Sequence, residues 1–146
     1  MLKQAMLEDA PQAAALAQKL WPNSDLQGEM EQLLQQQDVF IVLAYSAEQA
    51  IGFAQCQVRY DYVEGTETSP VGYLEGLYVE PQVRLQGIAK KLVAACEEWT
   101  RQQGCTEFAS DCELTNEDSL NMHLRLGFTE ANRIICFTKK LETELK

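Results

Sequence analysis

The chain reads as an α/β (α+β) protein built on a mixed central β-sheet flanked by helices. Three features predict this. Strand-like and helix-like hydrophobic periods alternate over 146 residues in the order β-α-α-β-β-β-α-β-α-β. An apolar stretch, Val71-Gly72-Tyr73-Leu74-Glu75-Gly76-Leu77-Tyr78-Val79, runs through the turn Arg84-Leu85-Gln86-Gly87-Ile88-Ala89-Lys90 straight into an amphipathic helix. No internal repeat, low-complexity tract or Pro/Gly/Ser-rich linker interrupts the pattern, so one domain spanning residues 1–146 is expected.

Residues 2–7 form the first strand of this pattern. Asp9 is placed to cap a helix running to about residue 20, with Gln12 in capping-box position. Trp21-Pro22-Asn23-Ser24-Asp25 breaks that helix, and a second spans about 26–37 with Leu26, Met30, Leu33 and Leu34 on one face. Residues 40–45 and 51–59 are consecutive strands around a Ser46-Ala47-Glu48-Gln49 turn. The polar, acidic loop 60–70 is longer than a hairpin turn requires, and such loops in compact domains often belong to a site. Residues 71–79 make the central strand. The helix at 87–103 covers it with a stripe of Ile88, Leu92, Val93, Cys96 and Trp99. A strand at 107–112, a helix at 116–126 and, after Gly127-Phe128, a last strand at 133–140 complete the order.

Twelve Lys and Arg against 22 Asp and Glu leave a net charge of -10. That charge repels nucleic acid and anionic membranes and attracts a cationic ligand, although an acidic surface serving only solubility has the same composition. No apolar stretch approaches a membrane span, and Met1-Leu2-Lys3-Gln4-Ala5 lacks the apolar core of a secretory leader, so a cytoplasmic protein is expected. The five cysteines (Cys56, Cys96, Cys105, Cys112, Cys136) form no CxxC pair. Four sit in apolar or strand-like contexts and read as reduced, mostly buried thiols. His123 is the only histidine, which excludes a histidine-rich metal site, and no metal is expected.

The turn carries the first chemical signal. Pro81 stops the strand, Gly87 lets the backbone close in where a Cβ would collide, and Ala89 keeps the first helical turn narrow. Backbone N–H groups there converge with the positive end of the helix dipole behind them, which suits a pyrophosphate, though a bland strand-to-helix turn uses the same residues. At this spacing the turn resembles the acetyl-CoA signature of the GCN5-related N-acetyltransferase (GNAT) superfamily. The segment Asn116-Glu117-Asp118-Ser119-Leu120-Asn121-Met122-His123-Leu124-Arg125-Leu126-Gly127-Phe128 resembles its second cofactor motif. The likeness extends along the whole chain and implies the GNAT fold with acetyl-CoA as co-substrate. It places the acetyl carbonyl on backbone amides of Leu77, Tyr78 and Val79, the pyrophosphate on Arg84, Leu85, Gln86, Gly87, Ile88, Ala89 and Lys90, and the pantetheine on Asn116. On the residues alone, Asn116 and Gly127 serve equally as helix caps. Many superfamily members carry a Tyr four residues before that Gly, where its hydroxyl protonates the departing CoA thiolate. His123 stands there in this chain and inherits the role by position, although a lone histidine on a helix also serves packing.

Three further segments narrow the likeness. Leu20-Trp21-Pro22, then Arg59-Tyr60-Asp61-Tyr62-Val63-Glu64-Gly65 leading to Leu74-Glu75-Gly76, and Cys105-Thr106-Glu107-Phe108-Ala109-Ser110-Asp111 resemble aminoglycoside 6'-N-acetyltransferases. These resistance enzymes move an acetyl group to the 6'-amine of the antibiotic. The resemblance implies a substrate pocket lined by Trp21, Tyr62, Glu75 and Asp111. It makes Glu75 the base, acting through water, and gives Asp111 a second ammonium or a share in that role. Glu75 sits in an otherwise apolar strand and requires a partner or a function. Ser24 and Asn132 complete the expected substrate set, at places where relatives carry His and Glu. Direct transfer without a covalent intermediate follows, and Cys112 is not expected to act as a nucleophile. The family likeness also implies a homodimer whose contacts use the last strands and the 60–70 loop. Competing readings are a polyamine or peptide acetyltransferase and a non-catalytic acyl-CoA-binding module.

Overall fold

The computed structural model describes residues 1–22 and 24–143. Its strands are β1 (Leu2–Gln4), β2 (Val39–Ser46), β3 (Gln49–Arg59), β4 (Val71–Val79) and β5 (Phe108–Ala109), side by side in that order. The first four form an antiparallel meander. β5 joins β4 in parallel, through Gly72 with Phe108 and Tyr73 with Ala109. Helices α1 (Ala10–Ala17), α2 (Leu26–Leu33), α3 (Ile88–Gln102) and α4 (Glu117–Arg125) complete the architecture.

The two-residue period of β2 divides the core into two layers. Ile41 and Leu43 face α1 and α2 together with Phe53, while Val42 and Ala44 face the layer of α3, which brings Leu92, Val93 and Cys96. Alanines at 10, 13, 14 and 17 favour helix and are small enough to let α1 lie close on the sheet. Phe53 is fully buried, so Phe53→Ala would remove about 3–5 kcal/mol of stability. On the opposite layer, Trp99 of α3 stacks on Phe40 at 5.5 Å between ring centroids.

α4 is bounded as the sequence suggests. The Asn116 side-chain oxygen accepts the Ser119 N–H at 3.1 Å, and Gly127 takes φ +94 beyond the helix end. The Phe128 N–H reaches the His123 carbonyl at 3.0 Å and the Gly127 N–H reaches that of Leu124, a Schellman closure that satisfies the last carbonyls.

Several boundaries differ from expectation. β1 stops at Gln4, and Leu7–Asp9 forms a 3₁₀ turn. Asp9 therefore does not cap α1. Its carboxylate turns back to the Met6 N–H at 2.8 Å and the Lys3 ammonium at 2.9 Å. α1 and α2 end at Ala17 and Leu33, several residues early, and Asn23 of the expected break lies outside the described residues. The strand expected at 107–112 is cut to Phe108–Ala109 because the chain leaves β4 after Tyr73. The last expected strand, at 133–140, does not form. Its β-branched and aromatic residues have the propensity, but no sheet edge pairs with them, and propensity without a partner does not make a strand. Ile135 and Phe137 are instead 80% and 86% exposed. Cys56, Cys96 and Cys105 are buried free thiols, whereas Cys112 and Cys136 are exposed, one more than the sequence suggested.

Candidate active site

The site begins where the sheet fails to stay paired. β4 and β5 share only Gly72 and Tyr73 with Phe108 and Ala109, so from Leu74 to Val79 the β5-facing edge of β4 has no strand beside it. On the other edge, pairing with β3 slips between Gln55 and Cys56. Leu74 lies opposite Cys56 and Gly76 opposite Gln55, which leaves Glu75 as the extra residue of a β-bulge. Bulges re-aim side chains. This one gives the carboxylate in an apolar strand a direction that strict alternation would deny it.

Glu75 has a partner that sequence order conceals. Arg59, on β3, donates to its Oε1 from Nε at 3.1 Å and from Nη2 at 2.5 Å. The guanidinium carbon lies 3.6 Å above the centre of the Tyr73 ring. Tyr73 donates in turn to Asp111 Oδ2, and burial, followed by this bond, pushes the phenol above its ordinary value. Glu75, Arg59, Tyr73 and Asp111 thus form one array across the parting of β4 and β5. Both Arg59 bonds fall on Oε1.

A cavity of about 200 Å³ opens beside Glu75, lined also by Trp21, Ser24, Glu29, Met30, Leu33 and Gln55. Trp21 crosses β4 at Gly76, where a Cβ would stand 2.7 Å from its ring, so only glycine admits the indole there. Gln55 is 7% exposed, and its Oε1 is the one buried side-chain oxygen or nitrogen without a hydrogen-bond partner among the described residues. An orphaned buried acceptor costs about 1–3 kcal/mol.

Tyr62 and Asn132 stand apart from this cavity. Tyr62 is 76% exposed and donates to Glu64 at 3.1 Å, and Asn132 donates to the other oxygen of Glu64, so the three make a separate polar cluster. The 60–70 loop is pinned by Glu107, which accepts from the N–H groups of Glu67 and Thr68 and from the Thr68 hydroxyl. The Thr68 hydroxyl, then the Glu67 N–H, hold the Glu107 carboxyl below its usual range.

The turn after β4 is built for an anion. Leu85 has φ +66 and Gly87 φ +82, two left-handed positions with one residue between them. Beyond its chain neighbours and the adjoining helix backbone, no atom lies within 4 Å of where a Gly87 Cβ would be, so the expected collision is absent and the φ angle is what calls for glycine. No side chain caps α3 among the described residues, which leaves the N–H groups of its first turn free beside a positive dipole end. Arg84 braces the turn by donating from Nε to the Val79 carbonyl at 2.7 Å, with its guanidinium 5.5 Å from the Tyr78 ring centre. Uncapped amides in a left-handed turn fit the pyrophosphate of acetyl-CoA. Asn116 spends its oxygen on the cap of α4.

His123 lies on the α4 side of the parting. Its Nε2 stands 2.8 Å from Ser110 Oγ and its Nδ1 2.7 Å from the Ser119 carbonyl. The structure therefore brings Trp21, Ser24 and Glu75 to one cavity, ties Asp111 to Glu75 through Tyr73 and Arg59, and leaves Tyr62 and Asn132 outside. Sequence reasoning missed Arg59, Tyr73, Gln55, Glu29 and Ser110. Arg59, Tyr73 and Ser110 fell inside quoted stretches, but nothing local marked them.

Comparison with known proteins places the chain in a family. The model of the Acetyltransferase (GNAT) family matches residues 8–128. An aminoglycoside N(6')-acetyltransferase type 1 from Acinetobacter haemolyticus is 46% identical over 129 residues, covering 87% of this chain and 89% of that protein. The enzyme of the same name from Acinetobacter genomosp. 13 is 48% identical over 86% and 88%. The crystal structure of apo AAC(6')-IG from Acinetobacter haemolyticus superposes with a TM-score of 0.92 at 43% identity, covering 97% of this chain and 99% of that one. AAC(6')-Iy in complex with the bisubstrate analog CoA-S-monomethyl-acetylneamine does so with a TM-score of 0.92 at 36% identity, over 97% and 98%. By the family model and by identity over most of its length, the chain belongs to the acetyltransferase (GNAT) family, among its aminoglycoside N(6')-acetyltransferases.

Proposed function

We infer that the protein transfers the acetyl group of acetyl-CoA to the 6'-amine of aminoglycosides by direct attack in a ternary complex, and so confers resistance to them. The observation that carries this reading is the cavity beside the bulge of β4. There a carboxylate, an indole and the Gln55 amide line the same space, at the strand that also leads into the anion-binding turn. A polyamine sugar offers ammonium groups to the first, an apolar ring face to the second and hydroxyl or ammonium donors to the third.

Acetyl-CoA supplies an activated acyl carbonyl. The amides at Leu85 to Lys90 hold its pyrophosphate, and the unpaired edge of Leu77 to Val79 offers N–H groups to the acyl oxygen as it gains charge. Glu75 accepts the proton of the substrate ammonium, through water, at Oε2. Arg59 fixes the other oxygen and so the aim of the carboxylate. Asp111, held by Tyr73, binds a second ammonium. His123 returns a proton on the leaving-group side.

Thiol release from acetyl-CoA with tobramycin, kanamycin, spermidine and a ribosomal peptide tests the reading. Turnover is expected with the aminoglycosides, and its absence with every aminoglycoside overturns the proposal. Residues 1–146 act in this reading as one cytoplasmic domain, without nucleic acid or membrane as partner. Among the described residues no helix is long and apolar enough to cross a membrane. A homodimer belongs to the same reading. It is supported by Ile134, Ile135, Phe137 and Leu141, 62–86% exposed on a segment that pairs with no strand of its own chain, and sedimentation would check it.

A further inference from the structure

His123 is held at both ring nitrogens. A carbonyl oxygen only accepts, so the 2.7 Å contact with the Ser119 carbonyl places a proton on Nδ1. In the neutral ring Nε2 then bears a lone pair, and at 2.8 Å it faces Ser110 Oγ. The Phe128 ring packs against the imidazole edge at 5.1 Å and limits its rotation. Ser110 is the first residue after β5, where the chain leaves β4, and its Oγ lies 3.4 Å from the Leu74 carbonyl, one residue before the bulged Glu75. The imidazole is thus turned toward Ser110, and the hydroxyl is the group set at the head of the parting. The partners of His123 from β5, α4 and the segment after it are two serines and a phenylalanine, none of which titrates. Asp111, next to Ser110 in sequence, is engaged by Tyr73, and Glu117 and Asp118 of α4 make no hydrogen bond to the imidazole.

We propose that Ser110 and His123 form a two-member proton relay serving the sulfur leaving group, with the Ser119 carbonyl fixing the tautomer. The proposal rests on the acetyl-transfer reading and adds Ser110 to it. As the carbon–sulfur bond of the thioester breaks, its electron pair remains on sulfur. Ser110 gives its O–H proton to that sulfur and takes the Nε2 proton of the His123 imidazolium. The ring is left neutral with its proton on Nδ1, and it regains the other from solvent, to which it is partly open. The same hydroxyl bridges the leaving group and the imidazole in both protonation states, because it rotates to donate in either direction.

A single histidine makes the test direct, since every imidazole NMR signal belongs to His123. The long-range ¹H–¹⁵N spectrum of the free protein is expected to show the Nδ1–H tautomer. Binding of CoA, whose sulfur meets the imidazole through Ser110, is expected to shift the Nε2 ¹⁵N resonance. Desulfo-CoA is expected to leave it in place. Ser110→Ala should abolish the difference between the two ligands and lower kcat about tenfold with KM for the aminoglycoside kept. That loss is smaller than general acid catalysis often supplies, because a thiolate is a good leaving group. Ser110→Thr, which keeps the hydroxyl, should restore both. Equal Nε2 shifts with CoA and desulfo-CoA in the unaltered protein, or an unchanged kcat in a folded Ser110→Ala, would overturn the relay while acetyl transfer itself stands. No turnover in the unaltered protein would instead overturn the reading beneath it.

Discussion

Around the Arg84 to Lys90 turn the binding groups are backbone amides, set by two left-handed residues and left without caps, whereas around Glu75 they are side chains already held by other side chains. The first arrangement suits whatever carries a pyrophosphate and leaves little for substitution to alter. The second depends on the identity of every member. In the proposed function, donor recognition is therefore a property of the backbone, and acceptor recognition a property of a side-chain array that differs with each residue in it.

The contrast breaks most visibly at Glu75. Glu75→Gln keeps the size and one hydrogen-bond acceptor but loses the base and the charge that Arg59 meets, so kcat should fall about a hundredfold. Desulfo-CoA affinity, measured by calorimetry, should be unchanged, because no amide of the turn is touched. Unchanged turnover would remove Glu75 from the base role. Gly87→Val is the reciprocal change. A β-branched residue at φ +82 costs about 1–2 kcal/mol or more, so CoA binding should weaken roughly ten- to thirtyfold with aminoglycoside affinity kept. Equal losses in both affinities would show that the two ends are not separate.

The same contrast explains what the sequence disclosed. A left-handed glycine before an amphipathic helix and an Asn cap followed by a Gly stop are local, and local patterns survive in one dimension; the turn, α3 and α4 were legible for that reason. The Arg59–Glu75 pair joins residues 16 apart through the register of β3 against β4, and the bulge that aims Glu75 depends on a slip in that register. Neither leaves a sequence mark. The last strand failed for the converse reason: 133–140 has the composition of a strand, but composition does not supply an edge to pair with. Tyr62 likewise sat in a motif with Glu75, yet the pinned 60–70 loop carries it to Glu64 instead.

Gln55 sharpens the side-chain half of the comparison. Its Oε1 is buried and unpaired in the free protein, so Gln55→Leu should leave stability unchanged or raise it by about 1 kcal/mol, since an unsatisfied acceptor is removed. The same change should weaken aminoglycoside binding about fivefold, the worth of roughly one hydrogen bond, with CoA affinity unaltered. Thermal melts and two titrations read all three. A loss of stability without a loss of substrate affinity would make Gln55 a packing residue.

Asp9 supplies the control outside both ends. It is buried where β1 gives way to α1, 5% exposed, with the Met6 N–H at 2.8 Å and the Lys3 ammonium at 2.9 Å. Burial raises its proton affinity, but these two bonds outweigh it, and the carboxyl is held below its ordinary value of 3.8. A carboxyl lowered by folding stabilises the native state at pH above its unfolded value, and that contribution disappears as pH falls through the lower native one. Lys3 is half exposed and its pairing is screened, so the effect of Asp9→Asn near neutrality should be modest, about 1 kcal/mol, read as a lower Tm at pH 7. As pH falls through the lowered native value, both chains come to carry an uncharged group at this position and the two melting temperatures should converge. Neither CoA nor aminoglycoside affinity should change at pH 7, because Asp9 touches neither the turn nor the Glu75 array. A shift in either affinity would mean that the α1 end of the sheet is mechanically coupled to the site, and the division between a backbone half and a side-chain half would then have to include it.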